Sequence, residues 1–226
     1  MKLISLQIGK PQTIQPSGTD EWWDKEWTTA FIKTPVMEPV WLGYEGLNGD
    51  GQADARVHGG VDRAVCVYPG EHYRFWRDTL QLPELPHGAF GENFTTFNLP
   101  ESEVCIGDIY SIGDALVQVS QPRQPCWKPS RRWKIKDLAL QIEQTGRTGF
   151  YFRILRHGLV QAGQSFNLLE RPHPQWMVAR CNEIFHHQKE DHAAAQALSD
   201  CPALSGFWKD HLSTRYRSSL TTSAVG

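Results

Sequence analysis

The sequence has no long run of uncharged apolar residues and almost no net charge. No apolar stretch approaches the 18 residues that indicate a transmembrane helix. The first ten residues alternate apolar and polar side chains, unlike the continuous apolar core of a secretory signal. Lysine and arginine total 23 and aspartate and glutamate total 25, which gives a formal charge of −2. We therefore expect a cytoplasmic protein with no membrane or nucleic-acid partner.

The cysteines are few and scattered. Their odd number disfavours a disulfide scaffold, and no CxxC pair indicates a zinc site. The chain also lacks a ferredoxin-type cysteine cluster and any flavin or nicotinamide motif. The five cysteines are Cys66, Cys105, Cys126, Cys181 and Cys201. The question that remains is whether one of these thiols has a special role.

Short strands dominate the first three quarters of the chain. Helical spacing is clear only at 71–80 and 136–144. Many short strands with two helices predict an α+β fold, mainly β, built on a β-barrel or a tightly curved sheet. The predicted strands are residues 3–8, 31–33, 40–42, 64–68, 108–112, 115–119, 149–155 and 165–169.

The strand pattern ends at the proline-rich junction 172–174. Helical spacing follows, which predicts a β domain over 1–171, a helical module over 172–216 and a flexible tail over 217–226. The predicted helices of the module are 176–188, 191–198 and 204–216. Because this module has no cluster that could ligate a metal, we expect its roles to be covering the barrel, shaping substrate access, or docking an electron donor or a second subunit of a homodimer. If the module only docks a donor, a chain ending at Arg171 should keep any bound metal.

The segment around Cys126 is the most unusual part of the sequence. Prolines at 122, 125 and 129 disfavour regular structure there, so the thiol is predicted to lie on a stiff loop. Residues 115–136 contain no acidic side chain but six basic ones, which leaves the rest of the chain at a formal −8. One basic patch on an acidic protein favours an anionic ligand, and nearby cations favour the thiolate. The alternative is a structural crossover loop with solvated basic residues.

Two further segments carry weaker signals. Glycines at 49, 51, 59 and 60 surround His58 and precede Arg63, and glycine-rich backbone can approach an anion closely. Asn93 follows Glu92 in a Gly-Glu-Asn-Phe segment and could hydrogen-bond a polar heterocycle. Taken alone, both segments are more typical of turns.

The remaining cysteines and histidines are interpreted as structural. We expect Cys66 and Cys105 to be structural and Cys181 and Cys201 to fill gaps in the core. His186, His187 and His192 are expected to be exposed, since adjacent helical residues face different ways. The basic residues 131, 132 and 134 are expected not to contact a cofactor.

Taken together, these motifs resemble the MOSC domain, which occurs at the C-terminus of molybdenum cofactor sulfurases. The resemblance rests on segments 49–65, 91–94, 106–115 and above all 119–126 (Val-Ser-Gln-Pro-Arg-Gln-Pro-Cys). The tail 172–216 is similar to the three-helix module of bacterial stand-alone members of the YiiM type. The resemblance implies a β-barrel that binds the molybdenum cofactor, a pyranopterin with an anionic phosphate.

The resemblance also implies the roles of individual residues. Cys126 would be both the catalytic residue and the protein ligand to molybdenum, in agreement with the preference of this soft metal for thiolate. The cofactor would be held by a subset of His58, Gly59, Gly60, Arg63, Asn93, Arg123 and Lys128. Family members with reductase activity remove oxygen from N-hydroxylated compounds, and the electrons would come from an external flavin or iron–sulfur protein.

Other functions remain open at this stage. Cys126 could carry a persulfide or deliver cofactor without turnover, and metal content would distinguish this carrier from a reductase. The basic stretch 123–136 could bind RNA, although the overall charge does not favour it and no RNA-recognition signature is present. Cys126 could also pair with His58 in a hydrolase, but sequence alone cannot show that the two are close.

Overall fold

The computed structural model describes residues 1–54 and 59–223, with side chains as far as Arg215. The strands are β1 (Lys2–Ile8), β2 (Gln12–Ile14), β3 (Trp27–Thr29), β4 (Thr34–Pro35), β5 (Val40–Gly43), β6 (Gly46–Leu47), β7 (Val65–Pro69), β8 (Phe94–Phe97), β9 (Ile109–Ile112), β10 (Ala115–Pro122), β11 (Phe150–Arg156), β12 (Gly158–Val160) and β13 (Asn167–Glu170). Eight of these strands form one sheet in the order β13-β9-β10-β11-β7-β8-β1-β4, while β12-β5-β6 and β2-β3 form two small sheets.

The large sheet is mixed and curves into a half-barrel, which confirms the predicted α+β class. Its pairs are antiparallel except β7 and β8, which run parallel. Helix α1 (His72–Leu80) lies in the connection between these two strands and buries Tyr73 and Trp76 against Tyr68 and Phe90. The Tyr68 and Phe90 rings stack at 4.6 Å, and the Trp76 indole donates a hydrogen bond to the Tyr68 hydroxyl at 2.6 Å.

Strand β10 carries the candidate cysteine segment. Its first half alternates, with Ala115, Val117 and Val119 fully buried. The register with β11 then shifts between Val119 and Gln121, and the strand stays buried on both sides as far as Pro122. The strand is therefore three residues longer than predicted, and it ends one residue before Arg123.

The helices differ from the predictions at three places. Helix α2 (Trp127–Trp133) was not predicted; α3 (Leu138–Thr145) follows it. The predicted helix 176–188 is α4 (Val178–Asn182) followed by a π-helical turn, Glu183–His187. After α5 (His192–Ser199), helix α6 (Gly206–Ser223) runs through part of the predicted flexible tail, and residues 224–226 lie outside the described range.

One predicted strand is wrong. Residues 31–33 form no strand; the pairing with β1 begins one residue later, at Thr34–Pro35. The Phe31 amide instead donates to the Thr29 hydroxyl at 3.0 Å, which turns the chain away from the sheet. The hydrophobic pattern was real, because Ala30 and Phe31 are buried, but it reflects a packed loop.

The helical module packs directly on the half-barrel. A single apolar cluster contains barrel residues such as Val104 and Val119 together with Ile184, Leu198 and Trp208 of the module. Backbone hydrogen bonds also cross the junction, for example from Val178 to Val104 at 2.8 Å. None of the helices in residues 1–54 and 59–223 is long and apolar enough to span a membrane.

Candidate functional site

A cleft opens beside the carboxyl end of β10, where the chain leaves the sheet towards α2. Its walls come from the loops 30–33 and 50–53, the turn Val61–Arg63, and the strands β7 and β11. Four cationic side chains, two thiols and one carboxylate line it. These are Lys33, Arg63, Arg123, Lys128, Cys66, Cys126 and Asp50. The cleft therefore brings together Cys126 and three of the basic residues that the sequence predicted to act with it.

Cys126 joins the strand to the helix. It lies directly before α2 in an extended conformation (φ −117°, ψ 176°) and is half-buried. The four-residue link 123–126 contains Pro125, which restricts the backbone, but Pro129 lies in the first turn of α2. A proline is tolerated there because that N–H has no partner within the helix. The thiol is thus held between two regular elements, and the predicted irregular loop is shorter than expected.

Arg123 is a buried cation in the wall of the cleft. Arg123 is only 6% exposed, and its backbone amide donates a hydrogen bond to the Gly149 carbonyl at 3.0 Å. Burial disfavours its charge, but the neighbouring ionisable groups Cys66, Tyr151 and Cys126 outweigh burial and raise its pKa. Among residues 1–54 and 59–215, no carboxylate forms a salt bridge with Arg123. Such a buried charge favours an incoming anion.

Lys128 is the second residue of α2 and lines the same cleft. Its residue is 8% exposed, and burial lowers the pKa of its ammonium group, while Cys126 and Asp54 oppose that change. A cation beside a thiol favours the thiolate over the neutral form. Lys128 and Arg123 therefore flank the half-buried Cys126 with positive charge, as the composition of segment 115–136 predicted.

The opposite wall is a hydrogen-bonded network that the sequence did not predict. The Asp50 carboxylate pairs with the Lys33 ammonium and accepts from the Gly9 amide at 2.7 Å and from Asn93 Nδ2 at 2.8 Å. Asn93 Nδ2 also donates to the Gln7 carbonyl, and Asn93 Oδ1 accepts from the Cys66 amide at 3.1 Å. Asn93 lines the cleft, but its amide already holds the wall together. Its place beside a pterin stays a prediction.

Cys66 is a second thiol in the cleft wall. The sequence suggested a purely structural residue, and the side chain is indeed buried in β7. Burial raises the pKa of the Cys66 thiol and keeps it protonated. Cys126 is the more accessible of the two thiols. Lys33, Asp50, Cys66 and Tyr151 are the ionisable lining residues that sequence reasoning missed. Only the glycines on either side of Asp50 gave a signal, as a backbone that could approach an anion.

Arg63 connects the cleft to the helical module. It ends the short turn Val61–Arg63, and its guanidinium lies 4.3 Å from the centre of the Phe207 ring in α6. Its Nε donates to Gln121 at 3.4 Å. Gly60 precedes the turn with φ 95°, which favours glycine, and its carbonyl accepts from the Arg63 amide at 2.9 Å.

The other predicted residues of this segment are only partly placed. Gly59 and Gly60 lead into the turn, and their proposed backbone contacts with an anion stay predictions. His58, predicted to bind the cofactor, lies outside the described residues.

The basic residues after Lys128 make contacts outside the cleft. Arg131 donates to the Trp23 carbonyl at 2.9 Å and lies 5.1 Å from the Trp27 ring, and Lys134 lies 3.7 Å from the Trp23 ring. These cation–π contacts hold the loop before β3 against α2. The patch therefore divides into Arg123 and Lys128, which line the cleft, and residues that pack outside it.

Comparison with known proteins identifies the family. The MOSC domain matches residues 54–167, and the YiiM-like 3-alpha helix domain matches residues 176–218. The chain belongs to the MOSC family. Within that family, its helical module resembles that of the YiiM-like proteins.

Several relatives share most of this architecture. The chain is 44% identical to protein YflK of Bacillus subtilis over 207 residues, which is 92% of this chain and 90% of that protein. The crystal structure of YiiM from Geobacillus stearothermophilus superposes with a TM-score of 0.79 at 39% identity and covers 95% of this chain and 98% of that one. A Gibberella moniliformis protein named "Reductase" is 37% identical over 79% of this chain, which spans 32% of that longer protein.

Proposed function

We propose that the protein is a molybdenum cofactor-binding oxidoreductase that reduces N-hydroxylated compounds with electrons from an external donor. The observation that carries the proposal is the half-buried Cys126 in a cleft with the buried cations Arg123 and Lys128. Membership of the MOSC family and the reductase name of the Gibberella relative support it.

The residues of the cleft fit such a cofactor. Arg123 is a buried cation with no salt-bridge partner in the described residues, whereas Lys33 pairs with the carboxylate of Asp50. A phosphate would supply the negative charge that Arg123 lacks. Cys126 would supply the thiolate ligand, and Arg63 would reach the anion from the turn. When bound, the cofactor supplies a metal that cycles between two oxidation states separated by two electrons.

The chain's own groups would prepare the site for this chemistry. Arg123 and Lys128 place positive charge in the cleft that Cys126 lines, while burial raises the pKa of the Cys66 thiol and keeps it neutral. Reduction of an N-hydroxyl group consumes two electrons and two protons and yields the amine and water. The electrons would come from an external donor, since these residues show no flavin, nicotinamide or ferredoxin motif.

The test compares the two thiols of the cleft. Protein from a host supplied with molybdate is assayed for molybdenum, for pterin fluorescence, and for reduction of a hydroxylamine by a chemical reductant. We expect Cys126→Ala to lose at least 100-fold in activity, because the thiolate is gone, and Cys66→Ala to stay within about threefold of wild type, on the order expected for loss of a neutral wall residue.

Two results would count against the proposal. Full activity in Cys126→Ala would contradict the assignment of Cys126 as the ligand. Wild-type protein that carries cyanide-releasable sulfur and little molybdenum would instead support the carrier function.

A further inference from the structure

A second cleft lies on the other side of the cysteine segment, between the half-barrel and the helical module. Gln124 lines both clefts, so the link that carries Cys126 separates them. The barrel contributes Gln124, Pro125 and Glu143 to the second cleft. The module contributes Phe185, His186 and Lys189 from the π-helical turn and its end, and Leu212 and Arg215 from α6.

Two side chains that line this cleft each have a buried polar atom without a hydrogen-bond partner among the described residues. The His186 side chain is only 7% exposed, and its Nε2 has no hydrogen-bond partner among the described residues; Arg215 Nε is in the same state. The expectation from sequence that His186 is exposed is therefore wrong. A buried donor or acceptor without a partner costs about 1–3 kcal/mol. A ligand that supplied both partners would remove this cost.

The π-helical turn creates the arrangement. It widens the helix at Glu183–His187 and leaves main-chain carbonyls without helical partners. Arg215 satisfies them: its Nη2 donates to the Ile184 carbonyl at 3.1 Å and to the Gln188 carbonyl at 2.7 Å. The guanidinium is thereby fixed in place, and Nε is the donor left over. π-Helical turns are frequent at functional sites.

Glu143 orients the histidine. Its carboxylate lies 3.4 Å from His186 Nδ1, which favours a proton on that nitrogen and leaves a lone pair on Nε2. Burial lowers the pKa of His186, although Glu143 opposes the change. The other charged or titratable groups around the ring are His187, Lys189, His211 and Arg215. Glu190 and Asp191 act on Arg215 but do not line the cleft. Among the lining groups, Lys189, Arg215 and a protonated His186 outnumber the one carboxylate, Glu143.

We propose that this second cleft binds the oxyanion group, phosphate or carboxylate, of a small molecule. Arg215 Nε–H and the protonated Nε2–H of His186 donate hydrogen bonds to the anion, and Lys189 supplies charge at the rim. Glu143 stabilises the imidazolium from behind through Nδ1. The proposal does not depend on the cofactor function of the first cleft, because none of these three donors lines that cleft.

The test follows the protonation of His186 itself. Protein labelled with ¹⁵N in its histidine rings is titrated by NMR in chloride, phosphate and acetate buffers of equal ionic strength, with His186→Gln to assign the signals. Because the anion binds the protonated ring, we expect phosphate or acetate to raise the His186 midpoint by about one pH unit, equivalent to about tenfold tighter binding of the charged form. Lys189→Gln should reduce the shift.

The neighbouring His187 is the matched control. It lies on the same turn but is exposed and does not line the cleft, so its midpoint should move by less than a third as much. The His186 shift should persist in Arg123→Ala, which separates it from anion binding in the first cleft. A shift with phosphate alone or with acetate alone would identify the oxyanion. An unchanged His186 midpoint in both buffers would overturn the proposal.

Discussion

Removal of the helical module should unfold the protein, not produce a free MOSC domain. The change is a stop after Arg171, at the proline-rich junction. It deletes side chains that are fully buried in the same apolar cluster as the barrel, including Val178, Ile184, Leu198 and Trp208. It also deletes the backbone partner of Val104 and the amide of Ser205, which donates to the Ser120 carbonyl at 2.9 Å.

The expected loss can be worked out from this burial. Fully burying one large apolar side chain contributes about 1.5–3 kcal/mol. Six such residues of the module are at most 2% exposed, and their barrel neighbours would become exposed too, so the loss is on the order of 10 kcal/mol even after allowance for a compact unfolded chain. They are Val178, Ile184, Leu198, Leu204, Trp208 and Leu212. A whole domain has only about 5–15 kcal/mol of stability.

The assay is thermal and urea unfolding of the truncated and complete chains, with yield of soluble protein as a first readout. We expect no cooperative transition in the truncated chain. A truncated chain that melts cooperatively within about 5 °C of the full chain would refute this reasoning. It would also favour the sequence-based expectation that the chain ending at Arg171 keeps its metal.

Two neighbouring residues give the same test without truncation. Trp208 is 0% exposed and packs against Phe185 with ring centres 4.3 Å apart, whereas Phe207 beside it is 43% exposed. Trp208→Ala should cost about 3–5 kcal/mol of unfolding free energy, and Phe207→Ala about 1 kcal/mol or less through its contact with Arg63. Equal costs in urea denaturation would show that the module does not share the core.

Three further changes test the cleft and the buried charges. Arg123→Ala should weaken phosphate binding, measured by calorimetry, by about 10- to 100-fold, because a charge-assisted bond of about 1.5–3 kcal/mol is lost; the exposed Lys136→Ala is the control, and unchanged binding would contradict the assignment. Asp108→Asn should cost about 1.5–3 kcal/mol in urea unfolding, because the buried Asp108 loses a charge-assisted hydrogen bond from the partly exposed Arg171 at 2.7 Å; an unchanged unfolding free energy would contradict this. Hydrogen bonds from Ser17 and Thr19 lower the pKa of Asp24, so the stability that they contribute is present above its unfolded pKa of 3.8 and is lost as the pH falls below it. Asp24→Asn should therefore lower Tm more at pH 7 than at pH 2.5. An equal loss at both pH values would be inconsistent with this.

The sequence predicted much of the fold because the local signals were strong. Alternation in 115–119 and the amphipathic spacing of 71–80 correspond to β10 and α1 to within a few residues. The failures have identifiable physical causes. Prolines around Cys126 suggested an irregular loop, but a proline in the first turn of a helix breaks no hydrogen bond, so α2 was missed. The apolar residues of segment 31–33 suggested a strand, but a packed loop buries apolar side chains too, as it does Phe31.

In the candidate site, too, some residues are brought together by the sequence and others only by the tertiary structure. The sequence by itself determined that Cys126, Arg123 and Lys128 lie near one another, because residues two or three apart on one constrained segment stay close in any fold. Only the tertiary structure brought Lys33, Asp50 and Cys66 to the same cleft, since their distance from Cys126 along the chain carries no information about their distance in space. The same is true of His186. Its burial against Glu143 depends on where the module docks, and the periodicity of a single helix does not specify that position.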